Sequence, residues 1–126
     1  MNQEQSNRQK IMIECRNKLL LMKEDLLNRI RSSRLEVTPQ DKMSGDEIDQ
    51  TVAQNIENQY ALTQNRFRAQ LLEIESALAR IHRGQFGVCE ETLEPIEVER
   101  LMAIPYTTLS IEGAEIREAI SKKFAR

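Results

Sequence analysis

Between Gly45 and Gly84 the chain contains neither Pro nor Gly, and apolar residues recur through this stretch at steps of three or four. Ile48, Val52, Ile56, Tyr60, Phe67, Leu71, Ile74, Leu78 and Ile81 fall on one face, with Thr63 as a polar intruder. The spacing predicts a single amphipathic helix from Asp46 to about Arg83, about 57 Å long at 1.5 Å per residue. Helices in globular proteins average about a dozen residues. One of this length in a chain of 126 residues is expected to project from a small body and to pair along its length.

A partner helix precedes it. Ile11, Cys15, Leu19, Met22, Leu26 and Ile30 follow one another at helical spacing, with the pattern running to about Arg34. Ser6 and Gln9 have the spacing of a capping box, which predicts the helix start there. Cys15 sits on the stripe and reads as a small buried hydrophobe. From Glu36 to Gly45 the pattern breaks at Pro39 and Ser44-Gly45. Two long amphipathic helices joined by a short connection pack antiparallel, seam to seam. The expected fold is mainly α: a long antiparallel two-helix coiled-coil hairpin over residues 1–84, its tip near 36–49, and a small head over 85–126.

Composition narrows the function classes. With no Trp, four Gly and 30% charged residues, the chain suits charged helices rather than a sheet sandwich. A net charge of −2 offers no global attraction to duplex DNA. The charge is uneven, however. Residues 1–35 carry eight Lys/Arg against four acids, whereas residues 36–65 carry one Lys against six acids. The opening MNQEQSNRQK has no apolar signal core, and no run approaches bilayer length, so a cytoplasmic protein without membrane attachment is expected. Two cysteines make no disulfide framework.

The head is irregular in sequence. Phe86, Val88, Leu93, Ile96, Leu101 and Ile104 are expected to pack it, among Pro95 and Pro105, with one short hairpin at most. Ser110 is placed to cap a last helix from about Glu112 to Phe124, with Ile116, Ile120 and Phe124 on one face. About forty residues build little core alone, so the head is expected to lean on the base of the hairpin.

No catalytic set is present. His82 is the sole histidine and reads as a solvated helical residue, Cys89 has no nearby Cys or second His, and no glycine-rich phosphate loop occurs. The more informative pair is Asp46 and Asp49. Acids at a helix start are what free amides and the macrodipole favour. The same carboxylates also stand at the far end of a long hairpin, a shape suited to a basic or metal-containing cavity in a larger machine. The two readings are compatible.

The segment Gly87-Val-Cys89-Glu-Glu-Thr92, then Arg100-Leu101, Ala103 and Pro105, then Ala114-Glu-Ile-Arg-Glu118, resembles the C-terminal zinc-finger head of the DksA/TraR (DnaK suppressor) family. Asp46-Glu-Ile-Asp49 is similar to that family's D-x-x-D-x-A tip, with Thr51 at the usual Ala. The resemblance covers roughly residues 10–125 and implies a transcription regulator, not an enzyme. Its hairpin would enter the secondary channel of RNA polymerase without reading DNA sequence. Asp46, Asp49 and Thr51 would be the tip residues.

The family's zinc site is C-x2-C…C-x2-C. Cys89 matches the first ligand, but Thr92, Ser110 and Gly113 stand at the other three positions. The resemblance therefore implies a degenerate finger with no zinc cofactor, of the kind thought to substitute when zinc is scarce. Family members also respond to guanosine tetraphosphate during the stringent response. Arg66 matches one contact for it, whereas Glu73 and Ala114 occupy two others, so a weak nucleotide effect is expected. A monomer is expected. Two alternatives stay open at this point: a structural coiled-coil adaptor, and a transcript-cleavage-type channel factor.

Overall fold

The computed structural model describes residues 3–36 and 50–124. Four helices follow in order: α1 (Gln3–Glu36), α2 (Gln50–His82), α3 (Val98–Ala103) and α4 (Ile111–Phe124). The 34 residues of α1 and 33 of α2 each run about 50 Å. Polar contacts across the seam fix an antiparallel register. Lys23 Nζ lies 3.6 Å from Glu75 Oε1, and farther along α1 Gln64 Nε2 donates to Ser33 Oγ at 3.1 Å. The molecule is mainly α, a long hairpin with a small head, as the periodicity and the resemblance predict.

The seam is built from the expected stripes. Leu19 and Leu26 on α1 bury against Ile74 and Ala77 on α2, with Met22, Ile30, Phe67, Leu71, Leu78 and Ile81 packed around them. Ala77 was not part of the expected stripe. Its small side chain lies fully buried between the arms. The far half of the α2 stripe behaves differently. Val52 and Ile56, expected on the seam, remain 50% and 39% exposed. Among the described residues, the apolar cluster of the seam does not extend to Val52 and Ile56, and the polar Gln64–Ser33 pair lies beyond its far end.

The start of α1 also corrects the sequence reading. The helix begins at Gln3, so Ser6 and Gln9 lie inside it and are exposed. A Ser followed by Gln three residues on is compatible with a helix interior as well as with a cap. The start of α2 at Asp46, and the connection 37–49, lie outside the described residues. The far end of α2 closes with Gly84 at φ 74. Gly84 N–H donates to Ile81 O at 3.1 Å and Gln85 N–H to Arg80 O at 2.8 Å, the paired bonds of a Schellman motif that needs a left-handed residue.

The head holds one antiparallel bridge, Val88 with Pro95, and a six-residue helix, α3, that the sequence did not suggest. Its core is Cys89, Ile96 and Leu101 together with Cys15 of α1. Phe86, Ile96 and Leu101 take the expected packing roles. Val88 and Leu93 do not, being 44% and 77% exposed. Leu93 closes a tight turn in which its N–H donates to Cys89 O at 2.9 Å, and it adopts φ 62. That conformation directs the chain back towards Glu94 and leaves the side chain outside. On α4 the expected face of Ile116, Ile120 and Phe124 forms no buried seam: the three are 36%, 47% and 78% exposed, rising with distance from the head. Only the first turn of α4, at Gly113, is buried.

Side chains from both arms grip the head. Cys15 Sγ donates to Leu101 O at 3.5 Å and Lys18 Nζ to Met102 O at 3.0 Å. Both acceptors are at the end of α3, where carbonyls lack helical partners and the macrodipole favours a cation. From α2, Arg80 donates to Tyr106 O at 3.2 Å, and Tyr106 packs into the seam cluster. The head therefore leans on the hairpin base, as its small size demanded. No described helix is long and apolar enough to cross a membrane.

Candidate functional site

The four positions singled out in the head converge on one sulfur. Cys89 is fully buried. Ser110 Oγ donates to Cys89 Sγ at 3.4 Å, and Thr92 N–H donates to it at 3.5 Å. Ser110 also serves as the N-cap of α4, its Oγ accepting from Gly113 N–H at 3.0 Å. Thr92 Oγ1 accepts from Glu94 N–H at 3.3 Å, steadying the turn that carries Cys89. The fourth position, Gly113, is buried against the thiol, and a Cβ added there would fall on Cys89 Sγ well inside van der Waals contact.

Local structure explains how the positions meet. Cys89 N–H donates to Glu94 O, and Ile96 N–H to Gly87 O, both at 2.8 Å, which folds residues 87–96 into a knuckle. Glu90 N–H reaches Thr108 O at 2.9 Å and brings the chain before α4 alongside. Arg117 on α4 clamps the knuckle through Glu90 and Glu91 at 3.2 and 3.1 Å. Glu97 accepts from Ile111 N–H at 3.1 Å and satisfies a second free amide at the start of α4.

Burial by itself raises the Cys89 thiol, but hydrogen bonds from Ser110 and Thr92, side chain and backbone, outweigh it and hold the group at about 6. Cys15 goes the other way: burial raises its pKa, only partly offset by Lys18. Ionisation of Cys89 thus adds stability that is full above the ordinary thiol range and is lost as pH falls through about 6. Cys15 favours the fold while neutral and loses that contribution as alkaline pH ionises it. A titration of thiolate ultraviolet absorbance should show two separated steps. The step near pH 6 should vanish in Cys89→Ala and the alkaline one in Cys15→Ala; two overlapping alkaline steps would contradict the hydrogen-bonded sulfur.

The other predicted residues are dispersed. Asp46 and Asp49 lie outside the described residues. Thr51 is exposed in the first turn of α2. Arg66 is exposed midway along α2, and Glu73 follows about two turns later. Ala114 stands in the first turn of α4, its N–H donating to Ser110 O. Among the described residues, no ion pair involves Arg66 or Glu73. Glu73 faces a hollow of about 150 Å³ beside Tyr106 that Asp25 and Arg29 also line. Cys15 and Lys18, which grip α3, were not recognisable as head contacts in sequence, because their partners are backbone carbonyls 86 and 84 residues away.

The sequence profile of the prokaryotic DksA/TraR C4-type zinc finger matches residues 84–119. Over 103 residues the chain is 33% identical to the RNA polymerase-binding transcription factor DksA of Caulobacter vibrioides, covering 82% of this chain and 72% of that protein. The chain belongs to the DksA/TraR family. Transcription factor DksA2 from Pseudomonas aeruginosa has a similar structure, with a TM-score of 0.80, 30% identity, and coverage of 90% of this chain and 87% of that one. General stress protein 16O of Bacillus subtilis is 42% identical over a shorter stretch of 46 residues, 36% of this chain and 28% of that protein.

A C4-type finger binds its metal through four thiolates. In this DksA/TraR chain the interval 84–119 contains one cysteine, Cys89. Neutral hydroxyls at Thr92 and Ser110 do not supply thiolate donors, and Gly113 supplies no side chain. The sulfur already accepts hydrogen bonds, and the space where a fourth ligand would begin is closed by the approach of Gly113 to it. The donor set does not fit a structural zinc ion. Among the described residues, no cluster of three His, Cys, Asp or Glu offers a metal site elsewhere.

Proposed function

We propose that the protein is a non-enzymatic transcription regulator that binds RNA polymerase and carries Asp46 and Asp49 into its secondary channel, without reading DNA sequence. The observation that carries this reading is the antiparallel pairing of two arms about 50 Å long above a head that grips only their base. Asp49 is covalently joined to Gln50, the first residue of α2. Thirty residues separate Gln50 from Arg80, the α2 side chain that touches the head, which is about 45 Å of helix. A helical arm of that length suits the delivery of charge into a deep cavity, and the name of the Caulobacter relative supplies the partner.

The protein acts as a monomer in the cytoplasm and without zinc, its head held by apolar packing, by the hydrogen bonds on Cys89 and by the Lys18 and Arg80 grips. Guanosine tetraphosphate has little effect through the family's site. Arg66 is the matching cation, whereas Glu73 presents a carboxylate and Ala114 a methyl group, which offer phosphate no attraction.

The test is transcription from a ribosomal promoter with the cognate polymerase, with and without a zinc chelator. Wild-type protein should change transcript yield equally in both. Asp49→Asn should bind polymerase as tightly as wild type and lose most of that effect. An adaptor would be indifferent to the substitution, and a transcript-cleavage factor would shorten RNA in stalled complexes. Loss of activity on chelation would overturn the zinc-independent part alone.

A further inference from the structure

α1 continues two turns beyond its first core residue, Ile11, and the face that would prolong the seam changes character there. Arg8 and Gln9 stand one helical turn from Met12 and Gln5 stands two turns from it, on the side turned to the head. The wall opposite is apolar, formed by Phe86, Ile96, Val98 and Leu101. Between the two walls lies a cleft of about 300 Å³. Ile96 and Leu101 are core residues of the head, 3% and 5% exposed, so the cleft opens onto the core. The walls stay apart for a physical reason: closing amides and a guanidinium onto apolar side chains would strip them of water with no partner in return. Among the described residues, no ion pair involves Arg8.

We propose that this cleft binds an aliphatic monocarboxylate, its chain lying along Phe86, Ile96 and Val98 and its carboxylate on Arg8. The volume lies at the lower end of small-ligand sites, which are mostly apolar with a few polar groups that fix orientation. Among the described residues, Arg8 is the one charged group lining the cleft, and a guanidinium fork matches a carboxylate through two parallel hydrogen bonds. Gln5 and Gln9 add amide donors beside it. One cation over an apolar floor does not match a polyphosphate, and an alkyl ammonium would be repelled. Met12, unbranched and adaptable, lets the wall follow chains of different length. The bound molecule bridges α1 and the head. Binding in this cleft is a property of the isolated protein and needs no polymerase.

The experiment uses the full chain with octanoate, octanol and octylammonium, each below the concentration at which it forms micelles. Binding is measured by calorimetry and by the shift of the thermal midpoint. Octanoate should bind at one site and raise the midpoint with increasing concentration, as a ligand specific to the folded state must. Octanol should bind more weakly and octylammonium not at all. Arg8→Met should weaken octanoate about fivefold, the scale of an exposed ion pair, and leave octanol unchanged. Val98→Trp, which adds bulk at a half-exposed wall position, should abolish binding of both while circular dichroism shows the helices retained. Equal binding of all three probes, no binding of octanoate, or octanoate affinity unchanged in Arg8→Met would overturn the proposal. Arg8 is exposed on the surface of α1, so its substitution decides the matter even if the Trp variant fails to fold.

Discussion

Gly113→Ala should destabilise the protein by about 1–2 kcal/mol, and the same substitution should become neutral or stabilising in a Cys89→Ala background. In the middle of an exposed helix, Ala is favoured over Gly by about 1 kcal/mol. At position 113 that gain is overridden, because the new methyl group would fall on Cys89 Sγ and would also meet Ser110 Oγ at 3.3 Å and Glu91 Cβ at 3.4 Å. Overpacking a fixed site costs about 1–3 kcal/mol. Removing the sulfur leaves room for the methyl group, so the helix preference re-emerges and the sign reverses. The check is a double-mutant cycle by urea unfolding. Additive effects of the two substitutions would show that the thiol and the glycine are not in the contact described here.

Leu19→Ala should cost about 3 kcal/mol, whereas Ile56→Ala should cost less than about 1 kcal/mol. Both residues occupy stripe positions of the same hairpin. Leu19 is fully buried in the cluster with Leu26, Ile74 and Ala77, and truncation there leaves a cavity between two arms held in register. Ile56 is already 39% exposed, so truncation removes less transfer free energy and leaves no enclosed void. The prediction implies a gradient along the rod. Amide hydrogen exchange should report strong protection on α2 around Ile74 and Ala77 and weak protection around Ile56. Uniform protection, or equal costs at the two positions, would show that the far half of the seam is packed as tightly as the base.

The hairpin was legible in the sequence because its information is local. Leu19, Met22 and Leu26 lie within a few residues of one another, and the 3.6-residue period alone assigns them to one face. Gly84 could be read as a stop for the same reason, since glycine readily takes the left-handed conformation that closes a Schellman motif. Ser6 and Gln9 show the limit of such signals: their spacing fits a cap and a helix interior equally well, and the chain begins its helix at Gln3. Val52 and Ile56 show a second limit, since a stripe records which face is apolar and not how deeply each of its side chains is buried.

The head was legible only in part. That Cys89, Thr92, Ser110 and Gly113 belong together followed from family resemblance, since no periodicity links positions on a knuckle to the first turn of a helix about twenty residues later. α3 carries no side-chain cap at its start and is six residues long, too short to stand by propensity. It is held by burial of Leu101 and by donors from Cys15 and Lys18 on a distant arm.

By itself, then, the amino-acid order determined the two stripes, the break between them, the antiparallel pairing they require and the kinship to DksA/TraR proteins. Tertiary structure decided what the degenerate finger became. Hydrogen bonds on Cys89, the close approach of Gly113 and the grips on α3 join segments from 3 to 86 residues apart. Contacts of that kind depend on how surfaces meet after the helices have formed, and chain order carries no period from which to read them.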